Sequence, residues 1–147
     1  MQEAARRVQA SLIGPPLEYP LDAAEYRRVI AAMAQAGVQA LIVYNQPQNY
    51  ENLRLIIELT DKGRLPAIFP FRRSCEFGGL MALAYDEFEM NRQLADQIAQ
   101  ILKGVSPGDI PFYQPTKFEL VINLKTAKLL GLSLSPDFLS IADEVIE

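Results

Sequence analysis

Apolar residues along this chain follow two periods, one helical and one extended, and the two alternate from end to end. Tyr26, Val29, Ile30 and Met33 recur at helical spacing and predict a helix with one apolar stripe. Asp22 stands where a cap would, Glu25 follows at the capping-box offset, and Gly37 supplies the stop. Val38 to Tyr44 (VQALIVY) is nearly continuous instead. So short a run between turn signals predicts a strand covered on both faces, as in a parallel sheet. Leu53, Ile56, Ile57 and Leu59 predict a second helix ending near Gly63, and Pro66 to Phe69 a second strand. Upstream, Glu3 to Val8 reads as the end of a helix. Ser11 to Gly14, closed by Pro15 and Pro16, is a short strand candidate.

The second half continues the alternation. Phe71 to Phe77 is less regular, Gly78-Gly79 marks a turn, and Leu80 to Tyr85 reads as extended. Asp86, with Glu89 at the same offset, opens a helix whose buried face would be Leu94, Ile98, Ile101 and Leu102, and Gly104 stops it. Ser106 to Pro115 is a proline-punctuated connector, and Phe118 to Ile122 a strand. Asn123 caps a short helix over Leu124 to Leu130. Ser135-Pro136-Asp137 opens a last helix with Phe138, Ile141, Ala142 and Val145 as its stripe. The alternation predicts an α/β fold: a doubly wound, mostly parallel sheet with flanking helices, in a single domain over residues 1–147.

Composition narrows the chemistry. Half the residues are apolar, 22% are charged, and the net charge is -4, so no basic footprint points to nucleic acid. No apolar run is long enough to span a bilayer. Cys75 is the single cysteine and the chain has no histidine, so no internal disulfide forms and the thiol lacks its usual base. Ser-His-Asp triads and most zinc sites drop out for the same reason. Gly78-Gly79 lacks the continuation of either phosphate-binding motif, and no cofactor or metal site is predicted. Asp86 and Glu89 fit a capping box better than a catalytic pair, and Asp143, Glu144 and Glu147 read as a solvated acidic face. An enzyme is therefore the weakest reading.

Ligands in open α/β sheets sit at the carboxyl ends of strands, and two places qualify. One is Tyr44 to Asn49, where Asn45, Gln46 and Asn49 could hydrogen-bond a solute; the alternative is that they are turn and cap residues. The other is Phe69 to Arg73, with Tyr85 and Asp86, where Phe71 and Arg72 are the candidates beside them. There Arg72 or Arg73 could grip a carboxylate; the alternative is that the aromatics fill the core and the arginines are solvated.

Several segments carry a family resemblance: LPAIFP (Leu65 to Pro70), EFGGLM (Glu76 to Met81), ILKG (Ile101 to Gly104), and above all DIPFYQPTKFELVINLKTAKLLGLSLSPDFLSIADEVIE (Asp109 to Glu147). The series resembles the C-terminal part of ABC-transporter substrate-binding proteins of the tryptophan/tyrosine transport-related type. The resemblance implies a type 1 periplasmic binding fold, in which two α/β lobes close on a small organic solute such as an amino acid and present a surface to the permease. It also implies a periplasmic location, although Met1 to Gln9 shows no signal-peptide pattern and a native start at Met1 would leave the chain cytoplasmic.

Two departures stand out. Family members are much longer, and the stretch missing here supplies most of the N-terminal lobe. The family also follows Gly-Gly-Leu-Met with Ser-Tyr-Gly, where this chain has Ala82, Leu83 and Ala84, so two hydroxyls that could face a ligand are replaced by apolar groups. Elements built to pack on the missing lobe would expose apolar surface, which predicts a homodimer, with exchange of segments as one way to form it. The rival reading is an interaction module that has lost transport.

Overall fold

The computed structural model describes residues 2–14 and 17–147. Among them, five strands form one sheet in the order β1-β2-β3-β4-β5: Leu41–Ile42, Ala67–Phe69, Met81–Tyr85, Phe118–Asn123 and Glu144–Ile146. The β1-β2, β2-β3 and β4-β5 pairs are parallel, and β4 runs antiparallel to β3. The α/β class and the mostly parallel sheet with flanking helices are as the alternation predicts.

Helix α1 is Gln2–Arg7, α2 is Ala23–Gln35, α3 is Pro47–Glu51 and α4 is Leu53–Lys62. Asp22 caps α2, accepting from the amides of Ala24 and Glu25, but the Glu25 carboxylate turns to the Glu18 amide and Arg28 instead of closing a box. Gly37 follows α2 at φ 71°, the left-handed conformation in which glycine has no Cβ penalty. Tyr26 and Ile30 of α2 and Leu53, Ile56 and Ile57 of α4 pack on Val43, Ala67, Phe69 and Phe71 to make the main core. Helix α5, Arg73–Glu76, covers the next stretch of the same face, with Cys75 against Ala82, Val121 and Ile146. Gly79 lets this corner close. A Cβ there would meet the Ser74 carbonyl oxygen at 2.9 Å and the Phe69 ring at 3.0 Å.

Helix α6 is Glu87–Leu102, α7 is Leu124–Leu129 and α8 is Pro136–Ser140. Asn123 does more than cap α7. Its Oδ1 accepts from the Thr126 amide, while its Nδ2 donates to the Cys75 carbonyl and ties α7 to α5 beneath the sheet.

Four expectations are corrected. Ser11 to Gly14 forms no strand: the segment joins no ladder, its Leu12 and Ile13 stay exposed, and β1 is an edge of the sheet. Pro15 and Pro16, expected to close it, lie outside the described residues. The run from Val38 to Tyr44 is not covered on both faces. Only Leu41–Ile42 is strand, and Ile42 and Tyr44 stay about half exposed, so among the described residues that side of β1 is not closed over. The face assigned as buried on α6 is open, and the helix has no buried residue. The last helix ends at Ser140 and Val145 belongs to β5, because the outer edge of β4 offers that β-branched segment a parallel ladder. Asp143 contributes to that ladder, accepting from the Leu120 amide, so it is more than a solvated charge.

Candidate functional site

Parallel strands end on the same side, so the segments following β1, β2 and β3 share one sheet edge. Tyr44, Asn45 and Gln46 follow β1, Phe71 and Arg72 follow β2, and Tyr85 and Asp86 close β3. Antiparallel β4 enters at this edge, bringing Phe118 opposite Tyr85 and the Lys117 Nζ to 3.5 Å from the Asp86 carboxylate. The edge therefore collects the exposed rings of Tyr44 and Phe118, the half-buried ring of Tyr85 and the Lys117–Asp86 ion pair.

The first cluster is built on Asn49. This side chain is buried, accepts at 2.8 Å from the Tyr26 hydroxyl and donates at 3.0 Å to the Tyr44 carbonyl. Burial, with Glu51 nearby, raises the Tyr26 hydroxyl above its ordinary range and keeps it a donor. The two bonds fix the loop from Tyr44 to Asn49 and leave the side chains of Tyr44, Asn45 and Gln46 facing outward without internal hydrogen bonds among the described residues. A mostly apolar groove of about 240 Å³ runs beside them between α2 and the outer edge of β1, lined in part by Tyr26, Met33, Tyr44, Gln46 and Asn49. Tyr26→Phe is expected to cost about 0.5–1.5 kcal/mol in urea unfolding, the net worth of one hydrogen bond. An unchanged midpoint would remove the Tyr26–Asn49 bond from the account.

The second cluster divides. Phe71 is buried, with the Tyr50 ring edge-on at 5.0 Å, so it fills core as the alternative reading had it. Arg72 is not merely solvated. It forms an ion pair with Glu144 of β5, and Glu119 and Glu76 add to the negative field that raises its pKa further. Arg73 lies on the outside over the Phe77 ring, 5.1 Å from its centre. Tyr85 is half-buried. The Asp86 carboxylate caps α6 through the Glu89 amide at 3.0 Å, and this bond, with Lys117, lowers its pKa. Glu89 turns instead to Arg92 and Gln93 and falls to about 2, so this acid pair is a capping arrangement with no shared proton.

Sequence reasoning missed Tyr50, Lys117 and Phe118. Tyr50 sits one residue beyond Asn49 and could have been included by proximity. Lys117 and Phe118 reach the edge only because β4 is antiparallel, which no local pattern announces. Of the three substituted positions, Ala82 and Ala84 face the buried side of β3, and only Leu83 stands where another molecule could touch it.

Cys75 is buried, its thiol donates toward the Val121 carbonyl at 3.6 Å, and desolvation pushes its pKa up to about 12. No group of acidic, cysteine or histidine side chains able to hold a metal occurs among the described residues. A thiol reagent at pH 8 should label the native chain only as fast as it unfolds, and at once in denaturant. Rapid labelling of the folded chain would contradict this burial.

A family profile described as ABC transporter substrate binding protein matches residues 19–146. This chain belongs to that family. A search of curated proteins finds no match. Among solved structures, a conserved domain protein from Vibrio cholerae superposes with a TM-score of 0.87 at 21% identity, covering 98% of this chain and 47% of that one. An ABC domain in complex with L-Trp from Streptococcus pneumoniae gives 0.85 at 22%, covering 98% and 49%. A ligand-free, open substrate-binding protein with adhesive properties from Clostridium difficile gives 0.65 at 14%, covering 99% and 47%. The chain thus spans about half the length of the solved structures it matches. The likeness establishes the fold, that of substrate-binding protein domains.

Proposed function

We propose that the chain is one α/β lobe of a solute receptor for an ABC import system, with a small organic solute such as an amino acid captured on the carboxyl edge of β1, β2 and β3. The observation that carries this reading is the outward set of Tyr44, Asn45, Gln46 and Tyr85 on an edge held rigid from behind, in a chain of the substrate-binding family. Asn49, Phe71 and Arg72 shape the rim through internal contacts, and Asp86 offers a carboxylate beside Lys117 to an ammonium group. Exposed aromatic rings favour an aromatic or apolar side chain on the solute, in keeping with the L-Trp bound by one structural neighbour. The role is binding, not catalysis, and the family supports a periplasmic setting with a membrane permease as partner. No helix among the described residues is long and apolar enough to cross a membrane.

A thermal-shift screen of amino acids and aromatic acids tests the reading. A true solute at a hundred times its Kd stabilises by about 2.7 kcal/mol, a rise of several degrees in Tm. Tyr44→Ala should remove the rise while leaving the unliganded Tm nearly unchanged. Silence across the panel favours the second reading, an interaction module. The specific observation behind that alternative is the uncovered apolar surface of α6 and β1.

A further inference from the structure

Residues 87–116 leave the sheet and return to it at one place. Helix α6 follows Asp86 at the end of β3, and the connector after it re-enters at Lys117, just before β4. The two stems are neighbours, because the antiparallel register sets Tyr85 opposite Phe118. Between the stems the excursion holds itself together. Arg92 pairs with Glu89 at 2.7 Å and with Asp96 at 3.0 Å along α6. The connector makes a short turn at Pro107–Asp109 and folds back along the helix, where the Gln97 side-chain amide donates to the Pro111 carbonyl at 3.1 Å. Met90, Leu94 and Ile101 of α6 face Ile110, Pro111 and Tyr113 of the connector across a groove of about 320 Å³. The same excursion is almost unattached to the sheet. None of residues 87–116 is buried, and neither core cluster draws on them. Among the described residues, their hydrogen bonds and ion pairs stay within the stretch or go to Asp86. Asp86 serves both stems. Its Oδ1 accepts from the Glu89 amide at 3.0 Å and caps α6, and its Oδ2 lies 3.5 Å from the Lys117 Nζ on the returning stem.

We infer that residues 87–116 form a self-contained arm, and that its pose on the sheet is set by one electrostatic latch, the Asp86–Lys117 pair between its two stems. One carboxylate fixes both the direction in which α6 leaves β3 and the point at which the connector comes back. Beyond the two backbone stems, no buried contact and no other hydrogen bond of the described residues has to break for the arm to swing. The latch is made to open and close. Its lysine side chain is 69% exposed, so the pair is weak and is screened by salt. Losing it leaves no charge stranded in a dry core, and the arm keeps its own internal bonds in either pose. Asp86 and Lys117 are thus positioning residues. They hold α6 and the connector in a fixed relation to the carboxyl edge without packing either element against it. The pose does not rest on solute binding and is tested without a solute.

The test is a distance between arm and sheet. In a Cys75→Ala background, spin labels on Gln35→Cys at the end of α2 and Gln100→Cys on α6 both sit at exposed positions. Pulsed electron resonance on this full chain at low salt should give a distribution with one dominant peak. Asp86→Asn removes the charge and keeps the cap, since asparagine caps as well as aspartate. Lys117→Gln removes the other partner and lies outside α6, so it serves even if Asp86→Asn frays the helix. Each should raise the population outside the peak, by up to about fivefold for an exposed pair. Molar salt should do the same to the parent and add little in either variant. Lys117→Arg, which keeps the charge, should leave the peak in place. Far-ultraviolet circular dichroism unchanged in Lys117→Gln shows that the shift is one of pose. A distribution already broad in the parent at low salt overturns the inference, and so does a peak indifferent to both variants and to salt.

Discussion

Phe69→Ala is expected to destabilise the chain by about 3–5 kcal/mol, the usual cost of emptying an aromatic site in a closed core. Phe69 is 1% exposed and ends β2, where the core built by α2 and α4 meets the corner closed by α5. Its neighbours cannot collapse into the space, because Gly79 approaches the ring with no side chain and the Ser74 carbonyl holds the turn. Urea unfolding at fixed protein concentration should show a much lower midpoint with the same slope. A loss below about 1 kcal/mol would mean that the site relaxes freely and that the packing described at Gly79 is wrong. The same geometry predicts coupling. Gly79→Ala alone should cost about 1–3 kcal/mol through overpacking, and less when Phe69 is already alanine, since one of its two clashes is then gone.

The second large effect is Asn123→Ala. A cap lost from a helix costs about 1 kcal/mol on average, but this residue also satisfies the Cys75 carbonyl in a region closed to water. Stranding that acceptor adds about 1–3 kcal/mol, for a total of about 2–4 kcal/mol. Asn123→Asp separates the contributions: the carboxylate can still accept from Thr126 but cannot donate to Cys75. It should recover only part of the loss in thermal unfolding. Full recovery would show that the bridge to α5 carries no weight.

Most of the elements were legible in the sequence because each depends on local signals: Asp22, Asp86, Asn123 and Ser135 all cap the helices their positions announce. What failed was long-range. The apolar period of α6 specifies a stripe but not whether anything covers it, so Leu94 and Ile98 looked like core and are surface. The segment from Glu144 to Ile146 is equally apolar as helix or strand, and only the free edge of β4, more than twenty residues earlier, decides it. At the site, Asn49 lies inside α3, and its two hydrogen bonds tie that helix to Tyr26 of α2 and to the Tyr44 carbonyl, a role that needs contacts across 23 residues of sequence. The engagement of Arg72 could not be read, because Glu144 lies 72 residues away and meets it only across the folded sheet. Placing Tyr44 and Tyr85 on one edge needed only parallel strands. Adding Lys117 and Phe118 needed the reversal at β4.

The central claim is that this lobe receives a small solute on the carboxyl edge of β1 to β3. The most direct test is to titrate isotope-labelled protein with L-Trp and the other amino acids and follow the backbone amide signals by nuclear magnetic resonance. The account predicts saturable shifts concentrated at Tyr44 to Asn49, Phe71 to Arg73 and Tyr85 to Asp86, lost in Tyr44→Ala. Absence of saturable shifts across the panel, or shifts confined to α6 and the opposite end of the sheet, would contradict it.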